Sequence, residues 1–166
     1  MTEAYEIKIT ESEDNFKTCT DNLKNENRKF LYEKDVLILP KINYGSIEKN
    51  LYHEDVMDFI EYINEQEQNI NYGLCSDEEE ILSLNDAGIW LGDFLIKASH
   101  NPIFINILSC YLYDKFIKRG KNPQVKFSMK VVEAKGGKSK TFNYECDAQT
   151  FQKIAPKLIK EFKNVK

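Results

Sequence analysis

The run Ile89-Trp90-Leu91-Gly92-Asp93-Phe94-Leu95-Ile96-Lys97 leads through Ala98-Ser99-His100-Asn101-Pro102 into Ile103-Phe104-Ile105-Asn106-Ile107-Leu108-Ser109-Cys110-Tyr111-Leu112-Tyr113. It is the most apolar part of the chain, and how it folds decides the architecture around it. Pro102 suits the first position of a helix, where its missing N–H costs nothing. Lys115, Lys118, Arg119 and Gly120 give the basic last turn and glycine stop expected at a helix end. Ala87 to Ile117 is therefore expected to form a hydrophobic helical pair broken at Asn101-Pro102. Ala98 to Tyr113 carries no acid, lysine or arginine. It is shorter than the roughly 20 apolar residues needed to cross a bilayer, so a buried core helix is expected and no membrane span. Its apolar side chains run nearly all round the helix. That distribution makes Ile103, Phe104, Ile107, Leu108, Tyr111 and Tyr113 candidate partner-binding residues as well as core candidates.

Outward from this stretch, the C-terminal third is patterned most plainly. Val125, Phe127, Met129 and Val131 alternate with Lys126, Ser128 and Lys130, and Phe142, Tyr144 and Cys146 alternate with Asn143 and Glu145. Gly136-Gly137 supplies a turn between them, so a β-hairpin with one apolar face is expected. Asp147 then suits a helix N-cap, and Phe151, Ile154, Ala155, Leu158, Ile159 and Phe162 follow at helical spacing. Pro156 falls inside that helix and predicts a kink or a restart.

Towards the N-terminus, Tyr5 to Thr10 alternates as a half-buried strand would. Val36 to Leu39, stopped by Pro40, reads as a strand buried on both faces. Ile42 to Asn50 reads as a loop around Gly45. His53 to Glu65 places Val56, Phe59, Ile60 and Ile63 on one helical face with acids on the other. Ile70 to Cys75 is a possible strand, Ser76 to Glu80 resembles an acidic helix start, and Ile81 to Leu84 suits either helix or strand. Phe16 to Lys34 is undecided. The expectation is one α+β domain over residues 1–166. A small mixed or antiparallel sheet, ending in the hairpin and its helix, would pack against the hydrophobic helical pair.

The net charge of −4 hides a polarity. Residues 1–100 carry 22 acidic and 9 basic side chains, and residues 101–166 carry 5 and 14. Such polarity marks a surface that meets charged partners, unless the two portions fold together and neutralise each other. The bias towards Asn, Lys, Ile and Glu matches AT-rich bacterial or phage genes. The N-terminus has no apolar run of the kind a signal peptide carries, and Cys19, Cys75, Cys110 and Cys146 form no CxxC pair. A cytoplasmic protein with reduced thiols is expected, with Cys110 and Cys146 as small core residues.

The sequence offers no Walker loop, GxGxxG, nucleophile elbow or zincin helix. His53 and His100 each lack a nearby partner in the sequence, so no catalytic residue, cofactor or metal ligand is assigned. Asp55 and Asp58 read as surface carboxylates, and the acidic run 77–80 lacks the spacing of a calcium loop. Lys126, Lys130, Lys135, Lys138 and Lys140 on the hairpin are candidate polyanion-binding residues, although arginines and exposed aromatics are few for nucleic-acid recognition.

An acidic N-terminal strand region is followed by the very hydrophobic helical pair, then by the basic exit Asp114-Lys115-Phe116-Ile117-Lys118, a hairpin built on Lys130-Val131, Gly136-Gly137-Lys138, Lys140, Phe142 and Tyr144-Glu145, and an Asp-capped amphipathic helix. This order resembles the small effector-associated constant component proteins of bacterial conflict systems. The resemblance covers roughly the last 80 residues and implies an accessory or adaptor role in antiviral defence, with no site residues attached. Taken together, these features predict a non-enzymatic adaptor subunit that binds a protein partner or its own copies. The alternatives are an acidic inhibitor or immunity-type protein acting through residues such as Glu54, Asp55, Asp58 and Glu61, and a nucleic-acid-binding module using the lysine hairpin.

Overall fold

The computed structural model describes residues 7–13, 34–39, 41–44, 47–66, 71–74, 80–82, 88–133 and 138–162. The expectations for residues 16–33, for Ser76 to Glu79 and for the Gly136-Gly137 turn lie outside these residues, as do Cys19, Cys75 and Lys135. Nine strands and three α-helices follow one another in the order β1 (Ile9–Ser12), β2 (Val36–Leu39), β3 (Lys41–Tyr44), β4 (Ile47–His53), α1 (Glu54–Glu65), β5 (Tyr72–Leu74), β6 (Glu80–Leu82), β7 (Ile89–Lys97), α2 (Asn101–Lys115), β8 (Gln124–Val132), β9 (Ser139–Asp147) and α3 (Ala148–Phe162) among the described residues. The main sheet is mixed, with strand order β1-β9-β8-β7-β2-β5, and β3-β4-β6 form a second, three-stranded sheet. The α+β class expected from the sequence is the class observed.

One expectation fails at the centre of the fold. Ile89 to Lys97 is not the first half of a helical pair but β7, the strand between β8 and β2 in the main sheet. It runs parallel to β8 and antiparallel to β2. Both of its edges are hydrogen-bonded, and Ile89, Leu91, Phe94, Leu95 and Ile96 are all buried. Leu95 and Leu37 face each other on one side of the sheet, while Phe94 and Ile96 face the helices on the other. A strand covered on both faces loses the alternation that marks an ordinary strand, and in sequence it looks like a buried helix. Gly92 adds a bulge: the register with β8 shifts between Trp90 and Gly92, whose φ is +91°. A Cβ there would lie 3.2 Å from Val56 Cγ2, so the glycine lets α1 press onto the strand.

The hairpin follows its pattern. In β8 the residues Val125, Phe127, Met129 and Val131 are buried against the helices, and in β9 Phe142 and Tyr144 join them. Asp147 caps α3 as expected, its Oδ1 accepting the Thr150 N–H at 2.7 Å. The helix runs through Pro156 without a restart. The proline sits on the exposed side, where the backbone hydrogen bond it forgoes faces water and costs least.

Smaller corrections follow nearer the N-terminus. Lys41–Tyr44 and Ile47–His53 are paired strands and not a loop. Ile81 and Leu82 belong to a strand, and β1 begins at Ile9. Cys146 is half-buried, but Cys110 is exposed and so is no core residue.

All three helices lie on one face of the main sheet. Phe59 of α1 meets Phe94 and Phe104 edge-on, and Phe151 of α3 meets Phe127 and Tyr144. The rings of Phe59, Phe94, Phe104, Phe127 and Phe151 thus link every helix to the sheet. Edge-on geometry adds roughly 0.5–1.5 kcal/mol per pair beyond the burial of the rings themselves.

Candidate interaction surface

α2 lies between α1 and α3 and is tied to both. On one side Tyr111 donates its hydroxyl to Asp58 Oδ2 at 2.7 Å, and Tyr62 donates to Asp114 Oδ2 at 2.8 Å. Burial, followed by the hydrogen bond to Asp58 and that carboxylate's charge, pushes the Tyr111 phenol well above its ordinary value. Burial and then Asp114 do the same for Tyr62. On the other side Ser109 Oγ donates to Gln152 Oε1 at 2.9 Å, while Gln152 Nε2 donates to the Ser109 carbonyl at 2.6 Å. Asp55 accepts the Trp90 N–H at 3.1 Å, which fastens the start of α1 to β7. Asp55 and Asp58 are therefore not idle surface carboxylates, because each locks an element in place.

These ties divide the predicted partner-binding residues. Phe104, Ile107, Leu108 and Tyr111 are core residues, each at most 4% exposed, and cannot meet a partner in the folded chain. Their side of α2 is claimed by the sheet and α1, which the sequence periodicity could not reveal because both sides of the helix are apolar. Ile103 is half-buried and Tyr113 is 48% exposed. With exposed Asn106 and Cys110 they form the outward stripe of α2, recurring every three or four residues. Between α1 and α2 this stripe borders a cavity of about 140 Å³ lined by Tyr62, Gln66, Ile103, Asn106, Ile107 and Cys110.

The neighbouring helices are charged with opposite signs. The same helical phase argument puts Glu54, Asp58, Glu61 and Glu65 on the outward side of α1, opposite its buried Val56, Phe59, Ile60 and Ile63. On α3 it puts Lys153, Lys157 and Lys160 outward, opposite Phe151, Ile154, Ala155, Leu158 and Phe162. The helical face thus reads in three parallel stripes: acidic α1, α2 uncharged on its outward side until Asp114 and Lys115 in its last turn, and basic α3. The polarity seen between the two portions of the sequence becomes a lateral polarity of one surface.

The lysines of the hairpin do not make a single basic ribbon. Lys126 and Lys130 lie on the face of β8 away from the helices, whereas Lys140 lies on the helix-side face of β9. Lys126 stands opposite Glu145, and Lys140 stands opposite Glu11 of β1. Opposite charges directly across a ladder fix its register. Lys138 and Lys140 border a cleft of about 340 Å³ with Glu11, Glu13, Glu133, Ser12 and Ser139. Its charged lining is thus acidic as well as basic.

One further cluster was hidden from the sequence because its members are far apart. His100 Nε2 lies 3.4 Å from Asp35 Oδ2, and Ser99 Oγ lies 2.9 Å from His100 Nδ1. His100 therefore has orienting partners after all. Asp35 Oδ2 also accepts the Asn71 N–H at 3.1 Å. The cluster joins the end of β7 to the beginnings of β2 and β5, and its serine is the neighbour of its histidine within one 3-10 turn.

Among the described residues no three His, Cys, Asp or Glu side chains converge as a metal site would require, and no helix is long and apolar enough to cross a membrane. No family model, no curated protein and no solved structure matches the chain.

Proposed function

We propose that this protein acts without catalysis, as an interaction subunit that docks through its helical face. The observation that carries this is the uncharged outward stripe of α2, Ile103, Asn106, Cys110 and Tyr113, set between an acidic and a basic helix. A surface helix with no other task presents charge to water along its outer side, as α3 does. An uncharged centre with a charged rim matches the depletion of charge at the core of protein interfaces. The resemblance of roughly the last 80 residues to effector-associated constant components supports an accessory role in a bacterial antiviral or conflict system, and a cytoplasmic setting suits such a role.

The test is co-purification from the native host with the wild-type chain and with Ile103→Asp/Tyr113→Asp. The expected result is a stoichiometric companion, a second copy or another protein, that is lost in the variant. A wild-type chain that emerges alone, or a variant that keeps everything the wild type holds, would overturn the reading.

A further inference from the structure

We infer that the occupant of the α2 stripe is a second copy of this chain, related to the first by a two-fold axis running alongside α2. The inference rests on the reading of the helical face as a docking surface, and the lateral order of the stripes carries it. Two copies laid face to face can be related by an axis parallel to the stripes or by one perpendicular to them. The perpendicular axis sets acidic α1 on acidic α1 and basic α3 on basic α3. The parallel axis sets α1 of each copy on α3 of the other, twice, and leaves the uncharged stripes of the two α2 helices in contact at the centre. The surface is therefore complementary to itself under one of the two arrangements and repulsive under the other. Such self-complementarity is the condition for a closed two-fold dimer.

The dimensions agree. A helix of 15 residues is about 22 Å long. With α1 at 12 residues and about 18 Å, the three helices spaced by about 9 Å present about 560 Å² per copy, or about 1,100 Å² buried in total, just above the roughly 1,000 Å² that a specific interface should clear. The dimer is then reversible and salt-sensitive, because its rim is made of charges. Parallel α2 helices about a two-fold axis bring equivalent residues together. Exposed Cys110 of one copy then faces Cys110 of the other near the axis.

Sedimentation equilibrium of the full chain at micromolar concentration, in low salt and in about 0.5 M salt, reads the dimer directly. Reversing one stripe, by Glu61→Lys/Glu65→Lys or by Lys153→Glu/Lys157→Glu, is expected to weaken dimerisation by about tenfold or more. All four substitutions together exchange the stripes and restore it. A short bis-maleimide is expected to join two wild-type copies, and the Cys110→Ser chain, which keeps the other three thiols, is expected to stay unlinked. The four positions lie on exposed helix surfaces, and a thermal melt of each variant confirms folding.

The proposal is overturned by a monomer at low salt, by a four-fold variant no better than either pair, or by equal cross-linking without Cys110. If the chain is monomeric yet holds a native companion that Ile103→Asp/Tyr113→Asp releases, the second copy is excluded and the docking reading stands. If it holds nothing, both fall.

Discussion

α2 and α3 are each 15 residues long, lie side by side on the same sheet, and solve the same packing problem differently. α3 is amphipathic: its buried phenylalanines, leucine and isoleucine point inward and its lysines outward. α2 has a buried side just as apolar but no charge on its outer side before Asp114. α3 begins at a carboxylate cap, whereas α2 begins at His100, whose side chain makes no capping hydrogen bond. The difference shows that burial alone does not explain α2. Its inward residues are accounted for by the core, and its outward residues follow no rule that a solvent-facing helix obeys.

The inward halves of the two helices should be equivalent. Phe104→Ala in α2 and Phe151→Ala in α3 each remove a fully buried ring and are expected to cost about 3–5 kcal/mol in denaturant titrations. A much smaller loss for Phe104 would mean that α2 is not held by the core.

The lateral tie of α2 is the next largest effect. Tyr111→Phe removes the hydrogen bond to Asp58, whose half-exposed carboxylate can turn to water, so the expected loss is about 1–2 kcal/mol. The neutral phenol is the form the fold favours. Its contribution is therefore complete below the ordinary tyrosine value of about 10 and is lost as pH rises beyond it. Wild-type stability should fall there more steeply than that of Tyr111→Phe.

The caps separate the helices by less. Asp147→Ala should cost about 1 kcal/mol, whereas His100→Ala should cost nothing through capping. Burial raises the Asp147 carboxyl, but the Thr150 N–H and hydroxyl, Asn122 and Lys153 outweigh it and hold it below the usual value. Its stabilisation is then present above the ordinary carboxylate range and lost as pH falls through the folded-state value, an acid-side sensitivity that Asp147→Ala should abolish.

The smallest expected effects lie outward. Lys157→Ala and Asn106→Ala should each change monomer stability by no more than about 0.5 kcal/mol. A larger change at Asn106 alone, growing with protein concentration, would show that its helix is covered.

What could be read in the sequence followed from how water is distributed around each element. β8 and β9 have one buried face, so their alternation is written in the residues. α3 has a wet side, so its period and its Asp147 cap are too. β7 is dry on both faces, and there the pattern that separates strand from helix disappears. Gly92 was the available sign, since glycine in mid-helix is unfavourable and in a strand marks a bulge. The sequence singled out α2 as a candidate docking helix, but four of the six residues it named, Phe104, Ile107, Leu108 and Tyr111, are buried, because which side of α2 meets the sheet is decided by elements far along the chain. The same holds for His100 and Asp35, which only the adjacency of β2 and β7 brings together. The acidic and basic residues could be counted, but their order across the face depends on the crossover that carries α2 from β7 to β8.

β1 has a consequence for how the molecule is made. Ile9 pairs with Phe142 and Ser12 with Ser139, so the first of the described strands closes on the last. Until β9 leaves the ribosome, β1 has no ladder to join, and the edge of β9 that it covers does not yet exist. Formation of this pair requires closing a loop of about 130 residues, which is slow compared with forming the β8–β9 hairpin beside it. Nascent chains halted before β9 should therefore leave β1 open to proteases, and its protection should mark the last stage of folding.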